Sequence, residues 1–310
     1  MKTHVSAFAP ASVSNVAAGF DIMGFALDQP GDTVTIRLSE SPGVRITKIS
    51  GSDCELPRDP ARNTAGAPVL ALARMMGYSK GLEIEIHKGL SVGSGLGSSA
   101  ASAVAAAVAC NAILQAGLSN DELLPFAIEG EKIASEAVHV DNLAPCLWGG
   151  FILVRGYHPI DVVHLRVPQD LWCTVIHPHI EIETKESRKL LPRAVPLVDV
   201  VTQTGNAAGL VAGLLTGDLA LLGRSLHDVI AEPVRGKHIP GFAGMKEAAL
   251  KAGALGCSIS GSGPALFALC DSKKTGGMIG AAMGQVLDRL GCPYDTYVST
   301  INCTGARVLD

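Results

Sequence analysis

Gly93-Ser94-Gly95-Leu96-Gly97-Ser98-Ser99-Ala100-Ala101-Ser102 is the stretch whose conformation decides the fold. Three glycines stand at alternate positions, two serines follow, and a run of Ala and Val continues to Ala109. Glycine permits a tight turn and leaves backbone N–H groups uncovered by side chains. The alanine-rich run favours helix, and Ser98 or Ser99 suits a position at or near its N-cap. A helix starting there points its free N–H groups and the positive end of its dipole into the glycine loop. That combination makes an anion site, most often filled by phosphate. A flexible Gly/Ser turn before a buried helix has the same composition, so the spacing alone leaves both readings open.

Two common phosphate motifs do not fit. A Walker A loop needs Gly-x-x-x-x-Gly-Lys-Ser/Thr, whereas Gly236-Lys237 is followed by His238. The dinucleotide fingerprint Gly-x-Gly-x-x-Gly needs its third glycine one residue later than Gly97. Upstream, Leu82-Glu83-Ile84-Glu85-Ile86 alternates strictly, as a half-buried strand does. The local order is therefore strand, glycine loop, buried helix.

The 310 residues allow two domains, each with its own core. Hydrophobic residues make up 47% and charged residues 17%, which excludes a disordered chain. A net charge of −4, without a Lys/Arg cluster, argues against nucleic-acid or membrane surfaces as partners. Aromatic content of 4% leaves little for base stacking. Eight scattered cysteines without a Cys-x-x-Cys pair read as reduced core residues. Met1 to Val5 begins neither a signal peptide nor a transit sequence, and no stretch reaches the roughly 18 apolar residues of a membrane span. A cytoplasmic enzyme is the expectation.

Along the chain, residues 5–8 read as a short strand and Ala9 to Gly24 as a loop of small residues. Within that loop Asn15 and Asp21 are the polar side chains able to orient a ligand, or to cap their own turns. Strands are expected at 33–38 and 44–49, and a helix over 63–76. The next helix, Glu122 to about Ala137, carries Glu129 and Glu131, about 200 degrees apart, so only one can face a site. His139-Val140-Asp141-Asn142-Leu143-Ala144-Pro145 reads as a loop before the strand 151–154. A composition break at 156–161 suggests domains of 1–158 and 159–310. Beyond it, strands are expected at 162–167 and 172–176. Helices follow over 200–216, 218–230 and 242–252, and the terminal strands and helix close a βαβ-like unit.

Gly95-Leu96-Gly97-Ser98-Ser99-Ala100-Ala101 resembles the central loop of the GHMP kinases, with Ser91 where that family usually has proline. The likeness extends through the chain. Pro10-Ala11-Ser12 to Asn15 with Gly19-Phe20-Asp21-x-x-Gly24, and His139-x-Asp141-Asn142-x-Ala144-Pro145, are similar to motifs of the homoserine kinase family within that superfamily. So are Glu186-Ser187-Arg188, Glu232-Pro233-x-Arg235 and Ser258-Ile259-Ser260-Gly261-Ser262-Gly263-Pro264. The resemblance implies an α+β fold: a ribosomal-S5-domain-2-like N-terminal domain that binds ATP and a ferredoxin-like C-terminal domain. It implies transfer of phosphate from ATP to the side-chain hydroxyl of L-homoserine, giving O-phospho-L-homoserine for threonine biosynthesis.

By the same resemblance, Gly93, Ser94, Gly95, Leu96, Gly97, Ser98, Ser99, Gly261 and Gly263 would hold ATP, and Ser99 with Glu131 would hold Mg²⁺. Glu129 is the alternative ligand if the helix phase differs. Arg188 and Arg235 would clamp the substrate carboxylate, as the planar guanidinium fork suits. Asn15 and Asp21 would meet the ammonium and polar end. Asn142 would orient the attacking hydroxyl, and Asp141 would act as base or only position groups, since a loose transition state needs little base help. His139 reads as structural. Family members are often homodimers. Another GHMP small-molecule kinase, or a non-catalytic relative that senses ATP or an amino acid, is the alternative.

Overall fold

The computed structural model of the chain describes residues 3–135 and 138–309. The N-terminal half contributes β1 (His4–Ser14), β2 (Met23–Ser39), β3 (Gly43–Ser50), α1 (Gly66–Met75), β4 (Gly81–His87), α2 (Ser98–Leu114), α3 (Asn120–Ala134), α4 (Val140–Trp148), β5 (Phe151–Tyr157) and β6 (Ile160–Leu165). The seventeen-residue β2 is the spine, pairing antiparallel with β1, β4 and β5. The alternation in β4 is realised: Leu82, Ile84 and Ile86 are buried, and Ile84 and Ile86 lie opposite Ile36 and Val34 of β2.

α2 is buried on every side, with Ala100, Ala101, Ala103, Ala105, Ala106, Ala107 and Ala109 fully enclosed. Small side chains let it lie close against β1 and β2 on one side and against α1, α3 and α4 on the other. Beneath its first turn sits a buried ion pair. Lys88 Nζ contacts Asp32 Oδ2, and also donates to Ser98 O at 3.0 Å and Ser102 Oγ at 2.8 Å. Asp32 accepts from Gly89 N–H at 3.0 Å and from Ser102 Oγ at 2.6 Å. The pair fixes the strand before the glycine loop to the helix after it.

The second half contains β7 (Trp172–Pro178), α5 (Thr184–Lys189), α6 (Leu197–Thr216), α7 (Leu219–Ser225), α8 (Glu232–Arg235), α9 (Phe242–Lys251), β8 (Gly256–Ile259), β9 (Leu266–Cys270), α10 (Lys273–Arg289), β10 (Tyr294–Thr300) and β11 (Arg307–Leu309). Its sheet has the order β10-β7-β9-β8 with antiparallel neighbours, the two interleaved split βαβ units of a ferredoxin-like fold. The two sheets share a core: Phe25 stacks on Phe151 at 5.2 Å and meets Phe267 of β9 edge-on at 5.9 Å. No helix among the described residues is long and apolar enough to cross a membrane, and all eight cysteines are free thiols.

Four sequence expectations need correction. Ala9 to Ser14 is not loop but the continuation of β1; Ala9, Ala11 and Val13 are buried, and Pro10 falls where the register with β2 shifts, a position that tolerates a missing N–H. Residues 140–145 belong to α4 rather than a loop. Pro145 has no N–H for the carbonyl of Asp141, which instead abuts Gly24, where a Cβ would lie 1.9 Å away. The helix expected over 218–230 stops at Ser225, because the Asp228 carboxylate gathers the backbone N–H groups of Ile230, Ala231 and Glu232. The break at 156–161 is the turn between β5 and β6, both in the first sheet, so the passage to the second sheet lies between Leu165 and Trp172. β11 returns to pair with β1. Glu136 and Ala137, the expected end of the helix from Glu122, lie outside the described residues.

Lys88→Met strands the Asp32 carboxylate in the core and is expected to destabilise the protein by about 3–5 kcal/mol in urea unfolding. Lys88→Met combined with Asp32→Asn should recover part of that loss; equal stability of the single and double variants would show the pair to be uncoupled.

Candidate functional site

The glycine loop is anchored through its carbonyls. Ser94 O accepts from Ala265 N–H at 3.1 Å, Gly95 O from Ser260 Oγ at 2.7 Å, and Leu96 O from Ser12 N–H at 3.1 Å. With three successive carbonyls turned into the protein, the amides are left facing the cleft. Among the described residues, no N–H from Gly93 to Ser99 donates to a protein acceptor. Gly95 and Gly97 have φ of +80° and +68°. A Cβ at Gly95 would lie 2.6 Å from Ser260 O, and one at Gly97 would lie 2.1 Å from Ser12 Oγ, so neither space nor conformation admits a side chain. Gly97 caps α2 without a side-chain bond, leaving the helix dipole open to the cleft.

That cleft is a cavity of about 540 Å³ between the two sheets. Across its floor runs a chain of polar contacts. Ser99 Oγ donates to Glu131 Oε2 at 2.9 Å, and Glu131 Oε1 meets His139 Nδ1 at 2.9 Å. His139 Nε2 lies 3.5 Å from Arg188, whose Nη2 donates to both Asp21 oxygens at 2.9 and 2.7 Å. Burial lowers the His139 pKa, but the hydrogen bond and charge of Glu131, together with the charges of Asp141 and Asp21, leave it raised. The helix phase is decided here. Glu131 is 3% exposed and faces the cleft, whereas Glu129 points to solvent and pairs with Lys132. Ser99 and Glu131 therefore bring two hard oxygens together at the mouth of α2, the donor type that Mg²⁺ takes.

Arg235 is 5% exposed, donates through Nη1 to Gly261 O at 3.0 Å, and has an Nε without a partner. Burial, reinforced by the like charge of Arg188, lowers its pKa below the usual arginine value, with Asp21 opposing. Both guanidiniums lie within cation–π reach of the Phe20 ring, 5.7 Å for Arg188 and 5.1 Å for Arg235. Asp228 holds α8, and so Arg235, in place; Gln203 Nε2 in turn donates to Asp228 at 3.0 Å. Glu232 ties α8 to Lys246 and, at 2.6 Å, to Ser258 Oγ.

Asn142 Oδ1 accepts from Ser12 Oγ at 2.9 Å, and its Nδ2 donates to Ser14 Oγ at 3.0 Å, which holds the amide beside Gly97. Asp141 is buried, with Oδ1 lacking any partner among the described residues. Burial pushes its pKa up to about 7; His139 pulls it down, Asp21 pushes it up, and the Asn15 N–H pulls it down.

Of the residues singled out by sequence, Asn15, Asp21, Gly93, Ser94, Gly95, Gly97, Ser98, Ser99, Glu131, Asp141, Asn142, Arg188, Arg235 and Gly261 line the one cavity. Leu96 and Gly263 do not. Leu96 is 1% exposed with its side chain in the core, and Gly263 stands behind the loop, where a Cβ on Gly95 would meet its carbonyl at 2.8 Å. Asn15 lines the cavity and is also bonded within the protein. Its Nδ2 donates to Gly261 O at 2.7 Å and its Oδ1 accepts from Asp21 N–H at 2.9 Å, so it ties down its own loop. That loop is strained, with positive φ at Asn15, Val16, Ala17 and Asp21. Sequence reasoning missed Lys88, Phe20 and Tyr157, whose hydroxyl donates to Asp21 O at 2.6 Å. Only Lys88, directly before the glycine loop, offered a signal.

Residues 63–150 match the family model "GHMP kinases N terminal domain" and residues 210–288 match "GHMP kinases C terminal". The chain is 46% identical to a homoserine kinase of Chlorobium phaeobacteroides over 100% of both chains. It is 45% identical to one of Arabidopsis thaliana over 99% of this chain and 85% of that one. Among solved structures, a homoserine kinase from Cytophaga hutchinsonii superposes with a TM-score of 0.97 at 52% identity, covering 100% of this chain and 98% of the other. L. major mevalonate kinase, at 18% identity and a TM-score of 0.71 over 95% of each chain, shares the fold.

The raised pKa of Asp141 carries a signed consequence for stability. The unfolded carboxyl ionises near 3.8 and the folded one near 7, so this group costs stability increasingly as pH rises between those values. Asp141→Asn removes that cost, and its stability relative to the wild type should be about 2–3 kcal/mol more favourable at pH 8.5 than at pH 5. Denaturant unfolding at the two pH values measures the difference; a gap that does not change with pH contradicts it.

Proposed function

The chain belongs to the homoserine kinases of the GHMP kinase superfamily, and from that premise we propose how its cleft carries out the ATP-dependent phosphorylation of the L-homoserine hydroxyl. The observation that carries the proposal is the glycine loop whose carbonyls are bound and whose amides are free. Those amides, with the open end of α2, hold the phosphates, while Leu56, Pro57, Val92 and Ile133, which line the same cavity, receive the base. Ser99 Oγ and Glu131 Oε2 are suited to hold Mg²⁺, which when bound neutralises charge on the phosphates. His139 occupies the other Glu131 oxygen and so turns Oε2 toward the cleft.

An amino-acid substrate is a zwitterion, and the Arg188–Asp21 pair is its mirror image. Asp21 takes the ammonium; Arg188 and Arg235 take the carboxylate, Arg235 through the amino hydrogens that Gly261 O leaves free. The Phe20 ring packs against both guanidiniums and helps orient them. With both ends of the substrate held, Asn142 orients the hydroxyl beside Gly97. Asp141, in the cavity wall beside Asn142, accepts the hydroxyl proton as the oxygen attacks the terminal phosphorus; its pKa near 7 suits that transfer. The products are O-phospho-L-homoserine and ADP, a step toward threonine. The eight free thiols suit a reducing, cytoplasmic compartment.

Arg235→Ala should raise KM for homoserine about 10- to 100-fold while leaving KM for ATP nearly unchanged, because only the carboxylate loses a charged partner. A steady-state assay varying each substrate decides it; equal effects on both would contradict the clamp. Glu131→Gln should shift the Mg²⁺ dependence of the rate to higher concentration, and an unchanged Mg²⁺ profile would remove Glu131 from the metal site.

A further inference from the structure

Outside the cleft, β7 and β10 bring three ligand-type side chains to one point. His177 lies on β7 and His179 just past its end, their rings 5.7 Å apart, and Asp295 is the direct cross-strand partner of His177. Asp295 Oδ2 lies 2.9 Å from His179 Nε2 and 3.9 Å from His177 Nδ1, and the ligating atoms of all three fall within 4.8 Å of one another. His177 is 5% exposed, while His179 and Asp295 are open to solvent.

The face borders a second cavity of about 420 Å³, whose other walls are Asp53, Cys54, Ser91, Val92, Ile180 and Glu181. One histidine on β7 and one just past its end, with a carboxylate on β10 and open space beyond them, form a donor set of two nitrogens and one oxygen. Mg²⁺ and Ca²⁺ prefer oxygen-only sites, whereas Zn²⁺ and Co²⁺ accept mixed nitrogen and oxygen donors.

The geometry points to a transition-metal site formed by His177, His179 and Asp295, distinct from the Ser99–Glu131 pair, with an open coordination position toward Asp53 and Cys54. It sits behind the nucleotide loop. Ser91 and Val92 line the cavity just before Gly93, and Glu181 packs against Gly93 so closely that a Cβ there would meet Glu181 Cγ at 2.7 Å. The site does not depend on the phosphoryl-transfer reading.

Co²⁺ titration of the full-length, chelator-treated protein tests the site through its visible d–d absorption, with Zn²⁺ competition as a second readout. The wild type should take up about one Co²⁺ per chain with a Kd of about 10 μM or below. His179→Gln and Asp295→Asn alter exposed side chains that the fold does not need, and each should weaken binding by about tenfold or more. Cys54→Ser should retain binding, which separates this site from adventitious thiol capture. Circular dichroism and Mg²⁺–ATP turnover of the two variants should match the wild type. Absence of saturable Co²⁺ uptake, or uptake that neither variant weakens, overturns the assignment.

Discussion

Three consecutive backbone carbonyls, those of Ser94, Gly95 and Leu96, are turned into the protein and bound there by Ala265, Ser260 and Ser12. A peptide unit has a donor on one side and an acceptor on the other, so fixing the acceptors inward leaves the donors pointing outward. The partners come from both halves of the chain: Ser12 from β1, Ser260 and Ala265 from either side of the turn that joins β8 to β9. The loop therefore holds this conformation only when the two sheets are docked. The shared core around Phe25, Phe151 and Phe267 is what docks them. Lys88 and Asp32 then lock the loop to α2 from below.

The charges of the cleft follow from the same economy. A buried charge without a partner is costly, and here most charges are matched before any ligand arrives. Asp21 has Arg188, and Glu131 has His139 and Ser99. The exceptions are the Nε of Arg235 and the Oδ1 of Asp141. Strain accumulates in the same region, in the positive φ angles from Asn15 to Ala17 and at Asp21, where Asn15 and Tyr157 hold the backbone in place.

Much of this was legible in the residues. The alternating β4, the glycine turn and the alanine helix depend on local periodicity and composition, which survive folding unchanged. The segments that misled were those in which small residues hide their period. Ala9 to Ser14 looks like loop because alanine and serine carry little hydrophobic contrast, yet its pairing with β2 makes it strand. Pro145 suggests a break, but α4 absorbs it because Gly24 leaves room for the freed Asp141 carbonyl, a contact between residues 117 positions apart. Asn15 carries a side chain capable of binding a ligand, and only the fold reveals that both its ends are already engaged. Lys88 was visible beside the glycine loop, whereas its partner Asp32 is distant in sequence.

The central claim is that the amides from Gly93 to Ser99, at the mouth of α2, grip the triphosphate. A crystal structure with a non-hydrolysable ATP analogue and homoserine measures this directly. The account predicts phosphate oxygens within about 3 Å of several of those backbone nitrogens, with the base toward Val92 and the amino acid between Asp21 and Arg235. Phosphates bound elsewhere, with the amides of the glycine loop left to solvent, would contradict it.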